Sequence, residues 1–477
     1  MFEQTPLFQA LIAHSQKNPI SMHVPGHKNG SLLNEAGWDY FKRISELDVT
    51  ELTGLDDLHD AESCIKEAQD LTARLYGADR SYFLVGGSTA GNLAMILAAF
   101  RRGDHVMVQR NCHKSVLNGL ELAGIRPVFL GPEIHEKGGF ALGITLSTVE
   151  RAMEQYPDVK GLIVTSPNYY GMSRDLTDVV AYMHHHQLPV IADEAHGAHY
   201  AADGFPLSVL AMGADAVVQS AHKTLPAMTM GAYLHVGKGS LLQQRKIEHA
   251  LQSIQSSSPS YPIMASLDLS RSYLAQLDKS DIEEIIKQSN DLKQHLTQRG
   301  FLVIEPPIGY EADHLKITIQ AKREYSGYEM QAAFENHGLY PELADSLNVL
   351  FVLPLGVSHE TMRWKAAIDK AAAELNSREY RQKRNKYAPF PEVSSLFCSY
   401  DDMWSKETRK LELKQAEGRI AAEMVIPYPP GIPLMAKGER ITKEMIDSFY
   451  KLQQNSARFQ GSAGSEIGVF TEEGEQQ

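Results

Sequence analysis

The sequence predicts an α/β protein built on a parallel or mixed sheet. Three observations predict it. Seven short apolar runs lie between positions 81 and 236, each ending in polar or small residues. Helix-length stretches alternate with them. The runs are apolar on both faces, as in parallel strands covered by helices on each side. In such sheets ligands collect at the carboxyl ends of strands, so the residues that close each run matter most.

Along the chain, 7–15 reads as an amphipathic helix. Two turn-rich polar segments follow, "HVPGHKNG" (23–30) and "LTGLDDLHD" (52–60), and then a helix over 61–76. The seven runs are "SYFLVGG" (81–87), "HVMVQR" (105–110), "RPVFLG" (126–131), "GLIVTS" (161–166), "LPVIAD" (188–193), "DAVVQS" (215–220) and "GAYLHV" (231–236). Each is too short for a helix and fits a seven-stranded, mainly parallel sheet. A long helical region covers roughly 263–299. A smaller α/β unit follows, with "FLVIEPP", "HLKITIQ", "LNVLFVLPLG" and the helix "HETMRWKAAIDKAAAEL". The charged stretch "SREYRQKRNKYAPFPEV" (377–393) marks a boundary. The last segment, "GRIAAEMVIPYPPGIPLMAKGE" (418–439), has strand-like residues and then prolines that fix an extended path. From about 455 the tail is polar and expected to be loose. The division expected is an N-terminal arm (1–60), a large domain (61–262), a linking helix with a small α/β domain (263–378) and a C-terminal domain (379–477).

Composition narrows the function. The chain has 477 residues, 43% of them hydrophobic, enough for several cores. Net charge is -13 with no basic tract, which argues against nucleic acid as partner. No run approaches the ~18–20 apolar residues of a membrane span, and no signal-peptide core stands at the N-terminus. The three cysteines, Cys64, Cys112 and Cys398, are far apart and form no disulfide framework. A reducing, cytoplasmic setting is expected.

Three clusters at strand ends carry chemistry. In "LVGGSTAGN" a strand ends at Gly86–Gly87 and a helix opens at Ser88, Thr89 and Ala90. Free N–H groups and the helix dipole make an anion site there, although a plain strand–turn–helix would read the same. In "LPVIADEAHGAH", Asp193 closes a buried strand and His196 and His199 follow. That carboxylate can pair with a protonated ring nitrogen, hold a metal, or cap a helix. In "SAHKT", Ser220, His222 and Lys223 follow another strand. Lysine seldom sits beside a dry strand without a partner or a task. An aldehyde cofactor would take Lys223 as a Schiff base, with Asp193 on its pyridine nitrogen. Ser88, Thr89, Ser220 and His222 would hold its phosphate. His113, in "RNCHKS", is placed to stack on its ring.

These residues resemble pyridoxal-phosphate enzymes of the aspartate-aminotransferase fold (fold type I). More closely, the chain resembles the Orn/Lys/Arg decarboxylases. The matching motifs are "HVPGHKNG", "LDDLHD", "GGSTAGN", "RNCHKS", "DEAHGAH", "SAHKT", "SSSPSYPIMASLD" and "YPPGIPLMAKGE", spread from 23 to 439. The resemblance implies pyridoxal 5'-phosphate on Lys223 and Asp193 at its ring nitrogen. It implies His113 over the ring, and His196 near the ring hydroxyl or the reacting carbon. It further implies phosphate contacts from Ser88, Thr89, Ala90, Ser220 and His222, no metal, and an active site shared between subunits of a homodimer or dimer of dimers. Ser257 and Ser258, in "QSSSPSYP", would reach the neighbour's phosphate. Longer members carry an extra N-terminal wing domain, so a short form is expected here.

The implied reaction is decarboxylation of a basic L-amino acid (arginine, lysine or ornithine) to a polyamine-pathway amine. The alternatives are another pyridoxal-phosphate reaction, transamination or elimination, and a metal-dependent hydrolase on Asp193, His196 and His199. A cationic side chain needs acidic partners. Asp56 and Asp57 are the candidates, with Glu342 behind them; helix capping ahead of 61 is the competing reading for the aspartates.

Overall fold

A computed structural model gives the structure and describes residues 4–321, 325–376, 390–428, 431–454, 458–461 and 466–471. Most of the boundary segment 377–393 therefore lies outside the described residues, as does part of the tail. In chain order the strands of the first half are β1 (Arg80–Leu84), β2 (His105–Gln109), β3 (Arg126–Leu130), β4 (Leu162–Thr165), β5 (Met172–Arg174), β6 (Val190–Asp193), β7 (Ala216–Gln219) and β8 (Ala232–Val236). All seven expected runs are strands. β5 was not expected: three residues are too few to show a period. It pairs with Tyr310–Ala312.

The chain divides into two units, Met1–Ala99 with Val180–Lys279, and Phe100–Val179 with Ser280–Gln477. In the first unit the strand order is β1-β8-β7-β6. β6 and β7 are parallel, while β8 is antiparallel to both β7 and β1. β1 therefore points the same way as β6 and β7, and the carboxyl ends of all three share one edge.

Helices α1 (Pro6–Gln16), α2 (Trp38–Ser45), α3 (Cys64–Tyr76) and α4 (Gly87–Ala99) belong to this unit. α4 is apolar nearly all round and lies against the sheet. A Cβ on its Gly91 would fall 2.3 Å from Val218 Cγ2 and 2.7 Å from Leu84 Cδ1, so only glycine lets the helix approach this closely. α1 is tied down at its N-terminus, where the orphan N–H groups of Leu7 and Phe8 donate to Asp268 Oδ2 at 3.0 and 3.3 Å. Arg271, fully buried, donates to the other oxygen of Asp268 at 2.7 Å.

In the second unit β2 is parallel to β3 and to β4, and Val393–Ser395 adds an antiparallel strand on β3. A separate antiparallel sheet holds Phe301–Val303, Lys316–Ala321, Leu343–Ala344 and Val349–Val352. It shares a core with Gly327–Asn336 and Thr361–Asn376, through Phe334, Phe351 and Ile368 among others. The long helix expected over 263–299 is two helices, Tyr261–Gln276 and Lys279–Gln298. Leu277 between them takes an extended conformation. The tail corrects a second expectation. Arg458–Gly461 pairs with Val425–Tyr428, and Glu466–Phe470 pairs with Thr408–Glu412. Ile467 and Val469 bury into a core with Met435 and Phe449, and that burial orders the segment.

Candidate active site

The shared edge of β1, β6 and β7 gathers Asp193, His196, Lys223, Ser88 and Ser220. Asp193 is the last residue of β6 and is 3% exposed. Its Oδ2 accepts from Asn92 Nδ2 at 2.9 Å, and its Oδ1 from the Ala195 N–H at 3.1 Å. Asn92 was not singled out from sequence. The signal was there: one amide among the apolar residues of α4. Beyond β7, Ser220 opens the single helical turn Ala221–Thr224, which carries Lys223. Lys223 Nζ lies 3.1 Å from His196 Nε2. Ser220 Oγ donates to Ser88 Oγ at 2.8 Å, so the hydroxyls that follow β7 and β1 meet.

The β1–α4 turn depends on Gly87, whose φ of +71° favours glycine and whose N–H is used on Met230 O at 2.8 Å. The next first-turn amides of α4, at Ser88 and Thr89, have no partner within the helix, and Ala90 follows them. With the helix dipole they form an anion cradle. His222 differs from its neighbours. Its Nδ1 contacts the Gly231 carbonyl at 3.0 Å, and burial lowers its pKa. Neutral His222, donating from Nδ1, offers only an acceptor at Nε2, so it donates to a phosphate only when protonated.

Behind Asp193 lies a buried polar chain that sequence reading missed. Glu194 accepts from Ser208 Oγ at 2.6 Å, Gln219 Nε2 at 2.7 Å and the Val209 N–H at 2.9 Å. Gln219 Oε1 pairs with His235 Nε2 at 3.1 Å, and His235 Nδ1 with Ser81 Oγ at 2.7 Å. Burial pushes Glu194 up to about 7 against these donors, and burial drives His235 down to about 3. The chain ties β6, β7, β8 and β1 together directly beneath the site.

The remaining candidates fall elsewhere. Asp56 is engaged by backbone N–H groups. Its carboxylate accepts the N–H groups of Asp57, Glu62, Ser63, Ile65 and Lys66 at 2.8–3.3 Å and caps α3, whose own N-cap Ser63 makes no side-chain bond. Burial alone would raise its pKa, but these N–H donors hold it below the ordinary carboxylate value. Asp57 closes the adjoining turn through the His59 N–H at 2.8 Å. For Asp56 these bonds match the helix-capping reading of the sequence. Ser257 and Ser258 are exposed on the loop before Tyr261–Gln276. In the second unit, His113 caps the helix Lys114–Ala123, and its Nδ1 lies 2.8 Å from Ser115 Oγ. Glu342 lines a cavity of about 270 Å³ with Tyr340, Leu353 and Trp364. His199 is fully buried, edge-on to Tyr200 and Phe205. Among the described residues no group of three or more His, Cys, Asp or Glu could hold a metal. No described helix is long and apolar enough to cross a membrane.

A buried carboxylate held from behind, a lysine at the same edge and an anion cradle with converging hydroxyls fit one group well. Pyridoxal phosphate presents a basic ring nitrogen, an aldehyde and a phosphate. Comparison with known proteins agrees. The Orn/Lys/Arg decarboxylase major-domain model matches residues 5–309, and the C-terminal-domain model of the same family matches 381–477. An uncharacterized protein of Bacillus subtilis, YaaO, is 43% identical over 96% of both chains. An arginine decarboxylase of Bacillus anthracis is 33% identical, covering 96% of this chain and 95% of its own. Among solved structures, the lysine decarboxylase LdcF of Francisella novicida superposes with a TM-score of 0.82 at 19% identity, over 98% of this chain and 81% of that one. The chain belongs to the Orn/Lys/Arg decarboxylase family, and it is a pyridoxal-phosphate-dependent decarboxylase of a basic amino acid.

Proposed function

We propose that the substrate is L-arginine, released as agmatine and CO2, with L-lysine and L-ornithine as the competing basic amino acids. The support for arginine is that relatives 32–33% identical over more than nine-tenths of this chain are named arginine decarboxylases. Those named lysine decarboxylases are 26% and 23% identical. The single observation that carries the chemistry is the placement of Lys223, Asp193 and the Ser88–Ser220 pair on one sheet edge.

In this reading Lys223 holds the cofactor aldehyde, and Asp193 keeps the ring nitrogen protonated. Asn92 and the Ala195 N–H fix the Asp193 carboxylate. Ser88, Thr89, Ala90 and Ser220 hold the phosphate, with His222 beside them. His196, 3.1 Å from Lys223 Nζ, would accept a proton from that nitrogen or return one to it. His113 covers the ring, the role the family resemblance implies. Pyridoxal phosphate supplies the sink for the electron pair left when the bond from Cα to the carboxylate breaks. With Asp56 committed to α3, Asp57 and Glu342 are left for the substrate cation.

The protein is taken as a homodimer or dimer of dimers in the cytoplasm, divided into domains at about 60, 262 and 378. Exposed Ser257 and Ser258 and the exposed apolar side chains Ile20, Met22 and Tyr40 support the shared assembly. Three free cysteines support a reducing compartment. Turnover tests the substrate: holoenzyme is given L-arginine, L-lysine and L-ornithine separately, and CO2 and amine are measured. Agmatine should form fastest. Faster cadaverine or putrescine release would reassign the substrate, and consumption of the amino acid without CO2 release would overturn decarboxylation.

A further inference from the structure

A second polar cavity lies in the first unit, away from Lys223 and Asp193. α3, β1, the helix Gln244–Ile254 and the loop at 58–61 enclose about 270 Å³. Liquid water takes about 30 Å³ per molecule, so the space suits a ligand of roughly ten non-hydrogen atoms.

One buried group in this wall lacks the partner its chemistry demands, and one half-buried carboxylate has an oxygen to spare. Gln69 is 8% exposed, and its Nε2 finds no hydrogen-bond partner among the described residues. A buried amide N–H without an acceptor is unfavourable until an acceptor arrives. Glu248 takes Tyr82 Oη at 3.0 Å and Gln244 Nε2 at 2.7 Å, both on Oε1, and Oε2 takes no bond among the described residues. The remaining charges are Lys66 and Arg80 against Asp60 and Asp70, with Lys66 Nζ 2.8 Å from Asp70. With Glu248, three carboxylates face two cations, so the wall carries one excess negative charge at neutral pH.

We propose that this cavity binds a small basic amino acid. Its carboxylate accepts from Gln69 Nε2 and meets Arg80, and its side-chain cation meets Glu248 Oε2. The ligand's single net positive charge balances the wall. The inference rests on the cavity and not on the proposed reaction. The cavity adjoins the cofactor turn all the same. Gln255, in its wall, accepts from the Val85 N–H at 2.9 Å just before Gly86, and His59 Nε2 lies 2.8 Å from Ser256 O.

The test is calorimetric titration of holoenzyme whose cofactor has been fixed by borohydride reduction, so that turnover is blocked. The probes are L-lysine, 1,5-diaminopentane, which lacks the carboxylate, and L-glutamate, which lacks the second cation. L-Lysine should bind, and each of the others should bind at least about tenfold more weakly, the loss expected when a bond to a charged group goes unmade. Gln69→Glu, which sets a negative charge against the ligand carboxylate, should weaken L-lysine by about the same factor. Arg80→Met, at an exposed position, should weaken it in the same direction without threatening the fold. Absence of any L-lysine binding, or equal binding by the unaltered protein and both variants, would overturn the proposal. A wrong substrate assignment would show only in turnover of the unreduced enzyme and would leave this titration unchanged.

Discussion

Asn92→Ala tests how the site holds the carboxylate of Asp193, proposed to meet the cofactor ring nitrogen. Asn92 is 2% exposed, and its Nδ2 supplies one of the two donors recorded on Asp193. After truncation the Ala195 N–H remains, and a buried carboxylate loses its anchor on Oδ2. A hydrogen bond to a charged group is worth about 1.5–3 kcal/mol. If that energy fixes Asp193 against the ring nitrogen, kcat falls roughly 10- to 150-fold, at 1.36 kcal/mol per factor of ten. Asn92 touches Asp193 and not the substrate, so KM should stay within about twofold. CO2 release at saturating cofactor gives both constants. Asn92→Asp should be worse still near neutral pH, because it places two carboxylates in contact. It should recover as pH falls and the pair shares a proton. A kcat for Asn92→Ala within about threefold of the unaltered enzyme would refute the reasoning.

Three further outcomes follow from the same geometry. Asp56→Ala should lower the unfolding free energy by about 2 kcal/mol, the upper range for a lost helix cap, with KM unchanged; a raised KM at unchanged stability would restore Asp56 as a substrate ligand. The pKa of Asp56 is depressed by folding, so its contribution is present above the ordinary value of 3.8 and is lost as pH falls through the lower folded value. Gly91→Ala should cost about 1–3 kcal/mol in chemical denaturation, because Val218 and Leu84 cannot clear the new methyl; an unchanged midpoint would show that α4 shifts freely. Glu194 moves the opposite way from Asp56, being raised from 4.5 to about 7. Its protonated form contributes stability fully below pH 4.5, and that contribution disappears as pH rises through about 7. Across that range the loss is on the order of 3 kcal/mol. Glu194→Gln should flatten this slope in denaturation series between these pH values, and an unaltered slope would place the titrating group elsewhere.

The sheet was legible because strands buried on both faces must be short and apolar, and "GLIVTS" and "DAVVQS" announce themselves by composition. The candidate site residues drew attention for a related reason: Asp193 and Lys223 are charged groups at the ends of such runs, and the fold buries Asp193 there while leaving Lys223 exposed. What escaped depends on partners distant in sequence. Asn92 becomes meaningful only once α4 lies on the sheet beside Asp193. Glu194 read as one more acid in "DEAHGAH", yet it anchors a chain through Gln219 and His235 to Ser81, 113 positions upstream of Glu194. Asp56 looked like a charge offered to a substrate, and only the folded loop shows five N–H groups converging on it. β5 and its partner are three residues each, stabilised by pairing and not by any pattern of their own.

The most direct measurement is to reduce the holoenzyme with borohydride, digest it and locate the lysine that carries the pyridoxyl group by mass spectrometry. The label should sit on Lys223, on the peptide that follows β7. A label on any other lysine, with Lys223 unmodified, would contradict the placement of the active site at the shared edge of β1, β6 and β7.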